Sequence, residues 1–284
     1  MKINFKNNFL IDNCIHGIMT WPINDGVLGP CLRHYGEWSE GENIIMSQFI
    51  CDGDTVIDIG ANIGTTVLSL SKQVGEKGKV LAFEPQSHIA QCLNTNLTLN
   101  GINNVIVDNA AISKKCGWAK INDKEFEESG RYGEAGISKE GTTKIRTINL
   151  DEIDLDSCSL IKIDIEGHEW DAIQGGESFL KKHKPVLYIE AKKDEEGTKK
   201  FIKWFFDNGW VCYWHYAFWY RKNNYRNNNN IKPIRDPGIG DMNIVAVPEN
   251  NKQPTNLLKL KSFNEDWNEK DLKEFYDLNK LAMI

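Results

Sequence analysis

Short apolar and β-branched runs alternate along this chain with longer stretches of helical character. Residues 56–59, 80–84, 105–107, 160–164 and 186–190 read as strands. Helices are predicted between and after them over 65–74, 89–99, 169–173 and 198–208, and Gly209 stands where a helix C′ glycine belongs. Alternation on this scale implies βαβ units and a mostly parallel sheet. Upstream, Ser39 with Glu42 three residues later predicts a capped helix running to residue 50. Downstream, residues 243–248 predict the last strand. Leu272, Phe275, Tyr276 and Leu278 then predict a docked helix over 269–281.

Two stretches break the rhythm. Residues 114–148 hold no crossover helix; 116–121 and 142–148 are expected to pair as a hairpin around a Glu/Gly/Ser-rich loop, 122–141. A loop that long in a compact domain is usually functional or disordered. Residues 210–220 are dense in aromatics, and alternation along a strand would bury about half of them. An Asn-rich loop follows, to Asn230. The division expected is an N-terminal cap (1–50), an α/β domain (51–250) and a helical tail (251–284).

The 284 residues are enough to bury a substantial core, and the net charge of −6 argues against a dedicated nucleic-acid binder. Seven scattered cysteines without a C-x-x-C favour packed, reduced thiols over a disulfide framework or a zinc site. The first residues lack the apolar segment of a signal peptide, and no run is long enough to span a bilayer. A soluble, cytoplasmic protein is expected.

Chemistry enters at Asp58-Ile59-Gly60-Ala61-Asn62-Ile63-Gly64, which follows the strand run Thr55-Val56-Ile57 and precedes a helix. Glycines permit the tight turn and let a ligand approach the backbone. The helix start supplies unpaired N–H groups. The next strand closes in Leu81-Ala82-Phe83-Glu84-Pro85, where a carboxylate is placed to accept both hydroxyls of a ribose. Ligands of open α/β sheets bind outside the strand carboxyl ends. A pyrophosphate binder wants G-x-G-x-x-G; here the spacing is Gly60-x-x-x-Gly64, and that fingerprint is missing. S-adenosylmethionine carries no phosphate, and Asp58, Gly60, Asn62, Gly64 and Glu84 suit it better than they suit NAD. The bland alternative is an ordinary βαβ turn beside an unrelated Glu.

A second cluster lies in Leu160-Ile161-Lys162-Ile163-Asp164-Ile165-Glu166-Gly167-His168-Glu169-Trp170. Asp164 ends the strand, Glu166 and His168 occupy the turn, and Glu169 opens a helix where its charge suits the macrodipole. Glu190 ends the following strand. If the two strands are adjacent and parallel, Asp164 and Glu190 reach the rim that Asp58 and Glu84 share. With Gly36-Glu37-Trp38-Ser39-Glu40, Asn109-Ala110-Ala111-Ile112-Ser113 and 185–190, these segments resemble the FkbM-type methyltransferases, S-adenosylmethionine-dependent enzymes that mostly O-methylate sugars and natural products. The resemblance covers roughly residues 36–195, and its most distinctive part is Lys162 through Glu169. It implies a doubly wound, mostly parallel, seven-stranded Rossmann-like α/β sheet with an N-terminal cap and C-terminal additions. It further implies S-adenosylmethionine held by Asp58, Gly60, Ala61, Asn62 and Gly64, with Glu84 on the ribose and Asp108 or Asn109 near the adenine. Asp164 and Glu40 would meet the amino-acid end.

A sugar hydroxyl needs a base, and His168, beside Glu166 and Glu169, is the first candidate; the alternative is a histidine that merely packs the turn. Asp164 and Glu190, joined by Glu166, allow a second, less favoured route through Mg²⁺ or another hard cation. Trp214, His215 and Trp219 are candidates to line an acceptor site, because indole and phenol rings stack on sugar faces. Arg221, Lys222, Arg226, Lys232 and Arg235 form a locally basic loop, either solvated or facing a phosphate. The expected activity is O-methyl transfer to a saccharide, glycoconjugate or nucleotide-sugar, with a nucleic-acid (RNA or cap-type) or small natural-product acceptor as the alternative. Base-methylating enzymes often carry Asn/Asp-Pro-Pro-aromatic where Asp164-Ile165-Glu166-Gly167 stands, so a nucleic-acid partner is not expected. An oxidoreductase or a non-catalytic binding module is a third class, disfavoured by the missing diphosphate fingerprint.

Overall fold

The computed structural model describes residues 9–122, 136–138, 140–192, 196–232, 236–265 and 269–278. The described residues begin with a hairpin, β1 (Phe9–Cys14) and β2 (Gly17–Pro22), then α1 (Leu28–Tyr35) and α2 (Glu40–Met46). The alternating core follows as β3 (Thr55–Ile59), α3 (Thr65–Gln73), β4 (Lys79–Phe83), α4 (Ser87–Leu99) and β5 (Val105–Asp108). Next come three short strands, β6 (Ala111–Ile112), β7 (Gly117–Ile121) and β8 (Thr143–Ile148). The alternation resumes with β9 (Leu160–Ile163), α5 (Glu169–Gln174), α6 (Glu177–His183), β10 (Val186–Glu190) and α7 (Glu196–Asp207). Two long strands, β11 (Trp210–Phe218) and β12 (Gly240–Pro248), then β13 (Leu258–Lys259) and α8 (Glu269–Leu278), complete it.

The main sheet runs β13-β11-β12-β10-β9-β3-β4-β5. From β10 to β5 it is parallel, as the alternation of strands and helices predicts. β12 lies antiparallel between β10 and β11. The seven expected strands are present, and the two-residue β13 extends the edge by one. The chain winds outward from β3 through β4 to β5, then returns to β9 and β10 on the other side of β3. That reversal places the ligand crevice over the carboxyl ends of β3 and β9.

The expected hairpin exists as β7 and β8, with β6 added parallel to β8; most of the 122–141 loop lies outside the described residues. The N-terminal hairpin is fastened to α4 by two side-chain amides. Asn96 exchanges hydrogen bonds with the Thr20 backbone (2.7 and 3.1 Å), and Asn100 with the Ile18 backbone (2.9 and 2.7 Å). One turn apart on the helix, these amides pair with an otherwise open strand edge.

Two local expectations are corrected. Ser39 does not cap α2 through a backbone N–H: it sits at φ +44° and its hydroxyl donates to Glu42 Oε1 at 3.1 Å. Half-burial of the aromatic stretch also fails, since every residue of β11 except Val211 is buried. The strand is interior to the sheet, and α2, α7 and α8 pack against it. No helix among the described residues is long and apolar enough to cross a membrane.

Candidate active site

At the end of β3 the backbone N–H groups of Gly60 and Ala61 both donate to the Phe83 carbonyl, at 2.9 and 3.0 Å. Gly60 has φ +87°, and a Cβ there would lie 1.9 Å from the Asp164 carbonyl oxygen, so only glycine lets β3 and β9 release their chains this closely. Asn62, at φ +48°, turns its N–H onto Glu84 Oε2 at 3.0 Å. Glu84 Oε1 accepts from Gln86 N at 2.8 Å. Glu84 is 4% exposed, and burial pushes its carboxyl up to about 7. The Gln86 side chain adds a further hydrogen bond to this carboxylate.

Two cavities meet at this turn. A narrow apolar recess of about 40 Å³ lies among Phe83, Ala110, Ile112, Ile121, Ile137 and Ile165. A polar cavity of about 300 Å³ adjoins it, and Gly60, Glu84, Asp164 and Glu166 line both.

Lys162 lies at the floor of the polar cavity, 5% exposed, with its Nζ 3.1 Å from Asp164 Oδ2. Across the β3–β9 ladder it faces Asp58, which is 1% exposed and has no hydrogen bond to either carboxylate oxygen among the described residues. Burial alone would strip the Lys162 charge, but Asp164, Asp58 and Glu42 together hold it above the ordinary lysine range. Burial likewise pushes Asp58 up to about 6 and Glu42 to about 8, with Lys162 opposing in both cases. Glu42 lines the cavity; Glu40 does not, being paired with His16 at 2.7 Å and Asn43 at 2.9 Å. Two residues along a helix is a rotation of about 200°, so the two glutamates point apart.

Glu166 sits at φ +55° with Lys192 Nζ 2.5 Å from its Oε2 and 3.5 Å from Glu190 Oε2. Burial, then Asp164 and Glu166, push Glu190 up to about 10. Oxygens of Asp164, Glu166 and Glu190 lie within 4.8 Å of one another, a donor set suited to a hard cation. The Lys192 ammonium already serves two of the three as counter-charge. Glu169 Oε1 accepts from Ile165 N and Gly167 N, both at 3.1 Å, and so holds the turn.

His168 lies on the apolar recess and not on the acidic cavity. Its Nε2 is 3.2 Å from the Ile137 carbonyl and its Nδ1 3.3 Å from Asp171 Oδ2. Both partners only accept; an imidazole with one N–H satisfies one of them, and its second nitrogen is turned to the other acceptor oxygen and not to the acidic cavity. This geometry speaks against His168 as the base. Asp108 is paired with Arg146. Asn109 donates to the Glu84 and Pro85 carbonyls at 2.7 and 3.0 Å. Neither side chain lines either cavity; Asn109 braces the segment that carries Glu84.

Of the three aromatic candidates, only Trp219 reaches the cavity. Trp214 and His215 are 1% and 4% exposed, deep in β11. His215 Nδ1 is 2.7 Å from the Tyr188 hydroxyl, and burial pushes its imidazole down to about 3, so it is neutral. An interior strand with both faces covered leaves no side for a ligand. Trp219, just past the strand, stacks at a tilt on Trp38 (5.0 Å between centroids) and donates its indole N–H to Asp241 Oδ2 at 2.5 Å. The basic loop is also reassigned. Arg221 is buried in a two-point pair with Glu37 (2.8 and 3.0 Å), and Arg226 Nη2 reaches Asp12 Oδ2 at 2.9 Å. Lys222 and Lys232 are exposed, and Arg235 lies outside the described residues. Sequence reasoning missed Glu42, Lys162, Lys192, Asp241 and Trp38 as cavity residues. Lys162 had a signal: a lone lysine between isoleucines of a buried strand needs carboxylates beside it.

A doubly wound sheet with a glycine turn, an acid at the second strand end and an acidic rim beyond it places the protein in the Rossmann-like α/β class. The family model for the methyltransferase FkbM domain matches residues 58–219, more than half of the chain. The chain belongs to this family of S-adenosylmethionine-dependent methyltransferases. Among solved structures it is similar to the methyltransferase FkbM from Methylobacillus flagellatus KT, at 19% identity and a TM-score of 0.46. That match covers 68% of this chain and 43% of the other, so the chain spans less than half the length of that relative. It is also similar to an S-adenosylmethionine-dependent O-methyltransferase from Thermotoga maritima (14% identity, 86% and 79% of the two chains, TM-score 0.46). A third is an rRNA methylase from Streptococcus thermophilus (12% identity, 72% and 93%, TM-score 0.41). No curated protein sequence matches it.

Proposed function

We propose that this protein transfers the methyl group of S-adenosylmethionine to a hydroxyl of a neutral saccharide or glycoconjugate. The observation that carries this reading is that the acidic tips of β4, β9 and β10 border one polar cavity, with an apolar slot beside Glu84. In this reading the adenine lies in the slot, Glu84 takes both ribose hydroxyls, and the methionyl part crosses Gly60, Ala61 and Asn62. Its ammonium group is drawn to Asp164 and the buried charges beneath. When bound, the sulfonium supplies an electrophilic methyl carbon.

What remains of the polar cavity is walled by Trp38, Trp219, Glu190, Lys192 and Asp241. An indole pair beside carboxylates suits a sugar, whose C–H face stacks on the rings while its hydroxyls donate to the oxygens. Carboxylates outnumber the two lysines around this cavity, which disfavours a phosphate-bearing acceptor such as a nucleotide-sugar. Holding the hydroxyl in line with the methyl carbon can contribute about 7–11 kcal/mol to lowering the barrier.

The test is transfer of labelled methyl from S-adenosylmethionine to a panel of neutral glycosides, sugar phosphates and a short RNA. Titration calorimetry with S-adenosylhomocysteine runs alongside. Saturable binding that weakens in Glu84→Ala, with label on neutral glycosides first, is the expected result. Transfer to RNA at rates equal to the best sugar would overturn the acceptor class.

A further inference from the structure

We propose that Asp241 is the general base of the transfer, taking the proton of the acceptor hydroxyl while the indole N–H of Trp219 holds its carboxylate in aim. This rests on the methyl-transfer reading above and adds the residue that activates the nucleophile.

The placement follows from topology. β12 runs antiparallel to β10, so its first residues, not its last, stand at the rim where the parallel strands end. Asn243 pairs with Glu190, and Asp241 extends two residues further into the cavity mouth. One Asp241 oxygen is fixed by Trp219 at 2.5 Å, and the other has no hydrogen bond among the described residues. Trp219 and Trp38 stand beside it, so a ring stacked on the indoles presents its hydroxyls to that second oxygen.

The other candidates are committed elsewhere. Both oxygens of Glu84 carry backbone N–H groups, and both nitrogens of His168 face acceptors. Asp164 carries the Lys162 ammonium and Glu166 the Lys192 ammonium. Glu190 faces the Lys192 ammonium at 3.5 Å, and it is crowded by Asp164 and Glu166. Glu42 accepts the Ser39 hydroxyl on the floor beside Lys162. Burial pushes Asp241 up to about 7, opposed by Trp219 and Lys162 and reinforced by Asp164 and Glu166. Glu42, Tyr188 and Glu190 also feel its charge. A carboxylate in that range is matched to proton abstraction at neutral pH.

The step balances. The hydroxyl oxygen forms a bond to the donor's methyl carbon as the carbon–sulfur bond breaks, and that electron pair stays on sulfur as a thioether. The hydroxyl proton passes to Asp241, which later releases it to water.

The experiment compares wild type, Asp241→Asn, Glu42→Gln, His168→Gln and Trp219→Phe. Expected for Asp241→Asn are a loss of about 10²–10⁴-fold in kcat, unchanged S-adenosylhomocysteine affinity, and disappearance of the acidic limb of the pH–rate profile. Independently of activity, the tryptophan emission of wild type is expected to titrate with a midpoint near 7. That transition vanishes in both Asp241→Asn and Trp219→Phe. A midpoint in the ordinary carboxylate range overturns the assignment, as does near-normal kcat in Asp241→Asn, or an acidic limb that is lost in Glu42→Gln or His168→Gln instead. A wild type that binds S-adenosylhomocysteine but methylates no hydroxyl acceptor overturns the function itself, and the emission titration still decides the state of Asp241.

Discussion

Asp58 and Lys162 stand opposite each other on the adjacent parallel strands β3 and β9, both withdrawn from water. The Asp58 carboxylate has no hydrogen bond among the described residues, so its charge is offset through space by the Lys162 ammonium. That ammonium also serves Glu42 and Asp164. Removing it leaves several carboxylates facing one another in low dielectric. Lys162→Met should therefore destabilise the protein by about 3–5 kcal/mol, the usual cost of orphaning a buried charge. Adding Asp58→Asn should recover part of that loss. Urea unfolding of the single and double variants measures both, and a double variant no more stable than Lys162→Met would remove Asp58 from the charge balance.

Glu84 combines two tasks that one variant set can separate. Its oxygens hold the Asn62 and Gln86 N–H groups, which shapes the glycine turn, and they face the site proposed for the ribose. Hydrogen bonds to a charged group contribute about 1.5–3 kcal/mol each, so losing both ribose contacts in Glu84→Ala should weaken S-adenosylhomocysteine about 10²–10⁴-fold. Glu84→Gln should retain more affinity, since its amide oxygen still accepts. Calorimetry gives the affinities. Equal binding by wild type and Glu84→Ala would place the ribose elsewhere.

Much of this site could be seen in the primary structure because parallel strands deliver their last residues to a common rim. Glu84, Asp164 and Glu190 were recognisable as strand-end carboxylates after apolar runs, and Gly60 as a turn glycine. Asp241 was not, because only the sheet order reveals that β12 is antiparallel and that its first residues reach the rim. Trp214 and His215 resemble binding residues in a linear pattern. Successive strand residues face opposite sides, so both are buried only because α2, α7 and α8 all pack against β11, and α2 and α8 are distant in sequence. Glu42 and not Glu40 reaches the cavity because two positions along α2 turn the side chain to the opposite side of the helix.

Stability should fall, not rise, as the pH is raised through neutrality. Burial holds Asp58 near 6, Glu84 and Asp241 near 7 and Glu42 near 8 in the folded state, against ordinary values near 4. Between about pH 4 and 8 the native state thus binds more protons than the unfolded chain. Unfolding free energy declines across that window as these groups are forced to ionise in place. Lys162, held above the ordinary lysine range, is charged in both states there and does not change the slope. Thermal unfolding of ligand-free protein should give a higher midpoint at pH 5.5 than at pH 8.5. The difference should shrink in Asp241→Asn. A midpoint that rises with pH would mean these carboxylates are ionised in the native state at low cost.

The buried Glu37–Arg221 pair fastens the two indoles of the proposed acceptor wall to each other. Glu37 precedes Trp38 directly and Arg221 follows Trp219 by two residues, while Glu37 Oε2 also accepts the Tyr225 N–H at 2.8 Å. The planar guanidinium fork matches the carboxylate at two points, which an ammonium cannot reproduce. Arg221→Met should cost about 3–5 kcal/mol in urea unfolding, and Arg221→Lys less. Because the pair lies behind Trp38 and Trp219 and does not border either cavity, the acceptor KM should rise in Arg221→Lys while S-adenosylhomocysteine affinity stays within about twofold. Loss of donor affinity equal to the loss in acceptor KM would show that the pair supports the whole crevice, and would separate the indole wall from acceptor recognition.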